Sequence, residues 1–186
     1  MVNYKSMKSK NENLNISLHE PRFYGNELKY LTQCIKSTWV STNGEFIDRF
    51  EKKIQAFTKS KYALYCINGT HALQMSLLVA GVKEGDEVIV PTVTFIAPIN
   101  AVSYNNASPI FMDSDNYFNI DENKTIEFIK KNTSFKNGLT FNKRTKKIIR
   151  AIIIVHTFGN AAKVDELIKI CKKRNIKIIE DASESL

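Results

Sequence analysis

The run Ala151-Ile152-Ile153-Ile154-Val155 is the most apolar strand candidate in this sequence of 186 residues. A continuous apolar run of this kind is typical of a strand in a parallel sheet that is covered on both faces. An amphipathic helical pattern follows at residues 164–174, and a second short apolar run follows at residues 176–179. A strand, a helix and a further strand in this order predict parallel strands within an α/β sheet.

The same alternation of helix and strand extends upstream. Periodicity predicts helices at residues 26–37, 47–57, 70–80, 95–104 and 121–131, and strands at residues 62–67, 87–90 and 109–112. In the third helix we expect Leu73, Leu77 and Leu78 to face inward. Residues 132–147 are polar and rich in Lys and Asn, which indicates a loop or small insertion. The predicted fold is a mostly parallel, open α/β sheet with helices on both faces.

Composition and charge exclude several classes of protein. No run approaches the roughly 20 apolar residues of a membrane span, and the N-terminus lacks the apolar core of a signal peptide, so we expect a cytoplasmic protein with no membrane partner. The formal net charge is +8, but the lysines are spread along the chain, so no nucleic-acid partner is expected.

Cys34, Cys66 and Cys171 have no metal-ligand spacing, which predicts buried free thiols and no metal site. Residues 1–19 form a polar segment before a single domain at residues 20–186.

Ligands of open α/β sheets bind beyond the carboxyl ends of the strands, which directs attention to residues 68–70, 92–95 and 180–184. Gly69-Thr70 lies where a strand gives way to a helix, and free N–H groups there can bind an anion. Alternatively, Thr70 merely caps the helix. No GxGxxG or GxxxxGK[ST] motif is present, so dinucleotide and P-loop sites lose their main support.

Three further residues at strand ends could carry chemistry. Asp181 could hold a cationic ring nitrogen, cap a helix or contribute to a metal site, although no further metal ligands are evident. Phe95 could stack on an aromatic cofactor or belong to the core. His156 follows the most apolar strand, and a hydrogen-bonded structural role is the simpler interpretation.

Five short motifs at residues 20–186, in matching order and spacing, resemble the DegT/DnrJ/EryC1/StrS aminotransferases, which are sugar aminotransferases of fold type I. They are Asn68-Gly69-Thr70-His71-Ala72-Leu73, Gly85-Asp86-Glu87-Val88-Ile89-Val90-Pro91, Thr94-Phe95-Ile96-Ala97, Val155-His156-Thr157-Phe158-Gly159 and Ile179-Glu180-Asp181-Ala182-Ser183. Each motif is weak alone, but five in register argue strongly against coincidence. The resemblance implies an incomplete large domain that binds pyridoxal 5'-phosphate, without the family's small C-terminal domain.

The resemblance also implies a role for each matching residue. Gly69 and Thr70 match the phosphate-binding turn, with the amide of His71 beside them. Phe95 matches the residue that stacks on the cofactor ring, and Asp181 matches the aspartate that pairs with the pyridine nitrogen. Glu184 falls where many members carry Gln or His near the phenolic oxygen of the cofactor, so a second carboxylate departs from the commonest pattern.

Two runs are similar to members that aminate C4 of UDP-4-keto-6-deoxy-N-acetylhexosamines in the bacillosamine and legionaminic acid pathways. They are Trp39-Val40-Ser41-Thr42-Asn43-Gly44-Glu45-Phe46 and Glu180-Asp181-Ala182-Ser183-Glu184-Ser185-Leu186. This similarity implies that Thr42 and Asn43 lie near the sugar. It also implies two half-reactions on a homodimer. An amino donor, expected to be glutamate, yields pyridoxamine 5'-phosphate, which then delivers nitrogen to the 4-keto group of the nucleotide-linked sugar.

In the family, a lysine downstream of the aspartate motif holds the cofactor covalently. No lysine of this chain matches that position, so we expect an N-terminal portion whose catalytic lysine lies elsewhere, for example on a separately encoded C-terminal half. A different interpretation is a non-catalytic remnant or a partner-binding fragment. Within the family, the alternatives are an aminotransferase acting at C3 and a sugar dehydratase that uses pyridoxamine 5'-phosphate.

Overall fold

The computed structural model describes residues 20–185, and the chain divides after Lys61 into two compact units. The predicted polar segment at residues 1–19 lies outside the described residues. No helix in the described range is long and apolar enough to cross a bilayer.

The first unit contains two amphipathic helices, α1 (Glu27–Ser37) and α2 (Glu45–Thr58). Tyr30 of α1 packs against Phe46 of α2 with ring centroids 5.2 Å apart, and the guanidinium of Arg49 lies over the Tyr30 ring. The bend between the helices is closed by the Trp39 indole, which donates to the carbonyl of Asn43. Both helices predicted for this region are confirmed.

The second unit contains all six strands of residues 20–185. They are β1 (Glu87–Pro91), β2 (Ser108–Met112), β3 (Thr133–Lys136), β4 (Leu139–Asn142), β5 (Ile149–Val155) and β6 (Lys177–Asp181). Its helices are α3 (Gly69–Val79), α4 (Ala97–Tyr104), α5 (Glu122–Asn132) and α6 (Asp165–Lys173), with a 3₁₀ turn at Thr157–Gly159. Four strands form a parallel sheet in the order β2-β1-β5-β6, and β3 and β4 form a separate antiparallel hairpin.

The apolar run of β5 is explained by two cores, one on each face of the sheet. Ala151 and Ile153 pack with residues of α3 and α4, whereas Ile152 and Ile154 pack with residues of α5 and α6. All four side chains are fully buried, because successive residues of a strand point to opposite faces and both faces are covered. The prediction of a parallel sheet with helices on both faces is confirmed.

Three local predictions are wrong. Residues 62–67 do not form a buried strand, since no strand is assigned there and Leu64 and Ile67 are 84% and 73% exposed. An apolar run becomes a strand only where a neighbouring strand can accept its hydrogen bonds, and the sheet described here runs from β2 to β6 without it. Leu78 is about half exposed, because it stands a helical step of about 100° from the buried Leu77.

The third wrong prediction is the loop alternative for residues 132–147, where a loop or small insertion was expected: Thr133–Lys136 and Leu139–Asn142 pair as the β3–β4 hairpin. The two strands are joined by Asn137 and Gly138, both with positive φ, as a two-residue type I′ turn requires. The thiols also differ from expectation. Cys171 is buried, but Cys34 and Cys66 are only partly buried, and all three are free.

Candidate active site

A cavity of about 500 Å³ lies at the carboxyl ends of β1, β5 and β6, beside the N-terminus of α3. Its volume is in the range of small-molecule sites. The residues that line it are Gly69, Thr70, Leu73, Val93, Thr94, Phe95, Ala97, Val155, His156, Thr157, Phe158, Asp181, Ser183 and Glu184. The three polar clusters predicted from the strand-end rule therefore contribute to one cavity.

The N-terminus of α3 presents free hydrogen-bond donors to this cavity. Asn68 is the N-cap, and its side chain accepts from the backbone N–H of His71 at 2.9 Å. The interpretation of Thr70 as the cap is therefore wrong. Within residues 20–185 no acceptor is found for the N–H groups of Gly69 and Thr70 or for the Thr70 hydroxyl. Donors at a helix N-terminus, together with the helix dipole, favour an anion.

Asp181 ends β6 and also lines the cavity. One of its oxygens, Oδ1, accepts from the backbone N–H and the hydroxyl of Ser183. The other oxygen has no hydrogen-bond partner within residues 20–185. A Cβ added at Gly69 would lie 3.5 Å from the Ser183 hydroxyl, so the start of α3 and the Asp181 segment are in van der Waals reach. The carboxylate thus keeps one oxygen for a cationic partner.

His156 connects the ends of β5 and β6. Its Nδ1 accepts from the N–H of Ala162 at 3.1 Å, and its Nε2 lies 3.3 Å from a carboxylate oxygen of Glu180. Because Nδ1 is an acceptor, the proton of the neutral ring is on Nε2, where it can be donated to Glu180. Both ring nitrogens have partners, which agrees with the structural role expected for His156.

Glu184 joins the loop after β6 to the turn after β5. Its Oε2 accepts from the backbone N–H of Phe158 at 2.7 Å. Next in the turn is Gly159, with φ of +78°. Phe158 also has positive φ, and its ring packs edge to face against Phe118. Glu184 lines the cavity as predicted, but one carboxylate oxygen already serves to hold the turn.

Asn119 also holds this turn in place, and no sequence pattern predicted that role. It is only 2% exposed. Its Oδ1 accepts from the N–H of Thr157 at 3.0 Å, and its Nδ2 donates to the carbonyl of Asn160 at 3.3 Å. Asn119 and the turn are about 40 residues apart in sequence, and no local pattern around Asn119 indicates a contact with such a distant segment.

Two hydroxyl groups in the cavity wall have no hydrogen-bond partner among the residues that the structure describes. They belong to Thr94, just before Phe95, and to Thr157, the first residue of the 3₁₀ turn. Thr157 is 6% exposed. A buried hydroxyl without a partner costs about 1–3 kcal/mol, so such groups mark places where a ligand can supply the missing bond. Thr94 lies in the predicted cluster at residues 92–95, whereas Thr157 was not among the candidate site residues.

Phe95 lines the cavity and is 80% exposed, so it does not belong to the core formed by residues 20–185. A large aromatic face open to a cavity is suited to stacking on a flat ring. Thr42 and Asn43 lie in the first unit, in the bend between α1 and α2. Their predicted place near a sugar stays a prediction.

The cavity at the strand ends combines free donors at a helix N-terminus, an open aromatic face and a carboxylate. These groups are suited to an anion, a flat ring and a cation, respectively. The sequence profile of the DegT/DnrJ/EryC1/StrS aminotransferase family matches residues 22–186. The chain belongs to this family. Its members are enzymes, and pyridoxal 5'-phosphate is their cofactor.

Individual relatives agree with this assignment. GDP-perosamine synthase of Escherichia coli O157:H7 is 38% identical over 91% of this chain. The dTDP-3-amino-3,6-dideoxy-alpha-D-galactopyranose transaminase of Aneurinibacillus thermoaerophilus is 35% identical over 83% of it. The crystal structure of an aminotransferase from Psychrobacter cryohalolentis superposes over 89% of the chain with a TM-score of 0.74 and 28% identity. The chain spans 43%, 38% and 38% of these three proteins, respectively.

The residues of the cavity fit the family's cofactor. Pyridoxal 5'-phosphate carries a phosphate, a flat aromatic ring and a basic ring nitrogen, and the cavity offers a suitable group for each. The free donors at Gly69 and Thr70 suit the phosphate, the face of Phe95 suits the ring, and Asp181 suits the protonated nitrogen. The His71 amide is already engaged by Asn68, so it is less available to the phosphate than the two residues before it.

Proposed function

We propose that residues 62–185 form the noncovalent part of a pyridoxal 5'-phosphate site in an enzyme that transfers an amino group to the C4 keto group of a nucleotide-linked 4-keto-6-deoxy sugar. The observation that carries the proposal is the single cavity in which Asp181, Phe95 and the free N–H groups of α3 meet. Glutamate is the amino donor in this proposal, and the enzyme acts in the cytoplasm as a homodimer.

Each residue has a distinct task in this scheme. Gly69 and Thr70 hold the phosphate by backbone N–H groups and a hydroxyl, which fixes one end of the cofactor. Phe95 covers one face of the ring and excludes water from it. The Asp181 carboxylate holds the ring nitrogen in its protonated form, because an opposite charge favours the charged state. When bound, the cofactor supplies an electron sink for the bond broken at the amino donor.

The chain contributes no lysine to the cavity among the residues described. We propose that the covalent lysine of the family comes from sequence beyond these residues, on the same or on a separate polypeptide. The fact that the matched relatives are more than twice as long as the aligned part supports this view. The other interpretation, a non-catalytic remnant that only binds a cofactor or a partner, uses the same cavity and predicts binding without transfer.

The proposal also specifies which carbon of the sugar receives the amino group. Amination at C4 is supported by the similarity of residues 39–46 to members with that activity. Amination at C3 is the second candidate, and it is supported by the relative whose name specifies a 3-amino sugar. Both reactions use the same cofactor site, so they differ only in how the sugar is held.

Amino transfer in a single turnover tests the proposal. The chain is combined with the lysine-bearing remainder of a family enzyme, pyridoxamine 5'-phosphate and a GDP-linked or UDP-linked 4-keto-6-deoxy sugar, and the product is identified by mass spectrometry and nuclear magnetic resonance. We expect replacement of the C4 keto oxygen by an amino group. An amino group at C3 contradicts the position of transfer, and cofactor binding without any amino sugar favours the non-catalytic interpretation.

A further inference from the structure

The turn after β5 carries a polar group that the scheme above does not use. Thr157 lines the cavity, its side chain is buried, and its hydroxyl has no hydrogen-bond partner within residues 20–185. The backbone of the same residue is well fixed, because its N–H donates to the buried Asn119. A rigid backbone that carries an unpaired hydroxyl into a cavity wall is arranged for a ligand rather than for the stability of the chain.

The ligand group that suits this hydroxyl can be found by elimination, given the proposed function on which this inference rests. The phosphate is assigned to the start of α3 and the ring nitrogen to Asp181, which leaves the phenolic oxygen of the cofactor. Glu184 is a poor partner for that oxygen, since a carboxylate accepts hydrogen bonds and the phenolic oxygen needs a donor. It also accepts from the N–H of Phe158 at 2.7 Å, so one of its oxygens is already occupied.

We propose that the Thr157 hydroxyl is a cofactor-binding group, which donates a hydrogen bond to the phenolic oxygen of pyridoxal 5'-phosphate in place of the side chain at position 184. The hydroxyl oxygen is covered by protein in the structure. Rotation about χ1 exchanges the hydroxyl with the methyl group of the same side chain, so it can turn toward a ligand without movement of the backbone.

The proposal predicts opposite effects on stability and on cofactor affinity when the hydroxyl is removed. A purely structural role for the hydroxyl would not produce this combination. Removal of the unpaired hydroxyl should leave the chain without ligand as stable or more stable, whereas it should weaken the binding of the cofactor. Thr125 offers a matched control, because it is also buried but its hydroxyl donates to the carbonyl of Asp121 at 2.7 Å. Loss of that satisfied hydroxyl should destabilise the chain and leave cofactor affinity unchanged.

The first measurement is thermal unfolding without ligand. We expect the midpoint for Thr157→Val to equal or exceed that of the wild-type chain, and the midpoint for Thr125→Val to fall. A clear loss of stability in Thr157→Val would show that the hydroxyl already has a structural partner and would overturn the proposal.

The second measurement is the calorimetric affinity for two probes. These are pyridoxamine 5'-phosphate and its analogue with hydrogen in place of the ring hydroxyl. We expect Thr157→Val to bind pyridoxamine 5'-phosphate roughly tenfold more weakly than wild type, as for one lost hydrogen bond, and to bind the analogue as wild type does. Thr157→Ser, which keeps the hydroxyl, should bind both probes as wild type.

The outcomes distinguish this inference from the proposed function. If the wild-type chain binds neither probe, the proposed function fails and the assignment of Thr157 fails with it. If wild type binds both probes but Thr157→Val weakens them equally or not at all, only the assignment of Thr157 is overturned. A selective loss for the probe with the ring hydroxyl, restored by Thr157→Ser, supports it.

Discussion

The main chain at Gly159 lies so close to Glu184 that a Cβ at residue 159 would be 2.9 Å from the Glu184 carbonyl oxygen. This contact joins the turn after β5 to the loop after β6, and the Glu184 side chain reinforces it through the N–H of Phe158. Both segments line the same cavity. The shape of the candidate site therefore depends on a close backbone approach that only glycine permits.

Substitution of this glycine should cost more than substitution of another glycine with the same backbone conformation. In Gly159→Ala the new Cβ would be strained by the left-handed φ of +78° and would also clash with Glu184. In Gly138→Ala the φ of +75° gives the same strain, but no atom lies within 4 Å of the new Cβ. We expect a loss of about 1–2 kcal/mol for Gly138→Ala from backbone strain alone. The loss for Gly159→Ala should be larger by about 1–3 kcal/mol. Urea unfolding measures both, and equal losses would contradict the close approach.

Asn119 should stabilise the chain through the turn that it holds. Asn119→Ala leaves the Thr157 N–H and the Asn160 carbonyl without their partner, so the free energy of unfolding should fall by about 1–3 kcal/mol. Asn116 is exposed and in the same loop, and Asn116→Ala should change stability by less than about 0.5 kcal/mol. Urea unfolding of the two variants is the measurement. Similar values for both would mean that the buried amide does not support the turn.

Phe95 should behave as a binding residue and not as a core residue. Because its ring is 80% exposed, Phe95→Ala should change the free energy of unfolding by no more than about 0.5 kcal/mol. Leu77 is fully buried, and Leu77→Ala should cost about 2–5 kcal/mol. Calorimetry with pyridoxamine 5'-phosphate should show weaker binding for Phe95→Ala. Unchanged affinity would remove Phe95 from the site.

Cys171 should make stability depend on alkaline pH. Burial raises the pKa of its thiol from 9.0 to about 12. Below pH 9 the thiol is neutral in both folded and unfolded chains, so it adds no pH dependence. Between pH 9 and about 12 the thiol ionises only in the unfolded chain. The equilibrium constant for folding should therefore fall by up to about tenfold per pH unit.

The control for this effect is Cys171→Ala, which cannot ionise. Its unfolding should show a shallower decline above pH 9 than that of wild type, whatever its absolute stability. Parallel curves in that range would contradict the pKa shift. Thiol labelling gives a second check, since Cys34 and Cys66 are only partly buried and should react in the folded chain before Cys171 does.

The fold could be predicted where local pattern and tertiary environment agree. The apolar run of β5 signals burial on both faces, and the two cores provide it. The prediction failed at residues 62–67, because strand formation depends on a neighbour that an apolar run does not specify. The β3–β4 hairpin could have been found from Asn137-Gly138, whose pairing is a strong hairpin signal.

The candidate site was partly predictable for a similar reason. The strand-end rule located Gly69, Phe95 and Asp181, and the structure places all three in one cavity. The rule could not locate Asn119 or the unpaired hydroxyl of Thr157. Those features depend on contacts between distant segments and on a hydrogen bond that is missing, and neither leaves a pattern in the sequence.

The most direct test of the central claim is calorimetric titration of pyridoxamine 5'-phosphate into the wild-type chain, Asp181→Asn and Asp113→Asn. Asp113 is an exposed carboxylate that pairs with Lys124 and does not line the cavity, so it is the matched control. We predict binding at one site by wild type and by Asp113→Asn. Binding by Asp181→Asn should be at least about tenfold weaker, because a charge-assisted hydrogen bond to the ring nitrogen is lost. No binding by wild type, or equal binding by all three chains, would contradict the account.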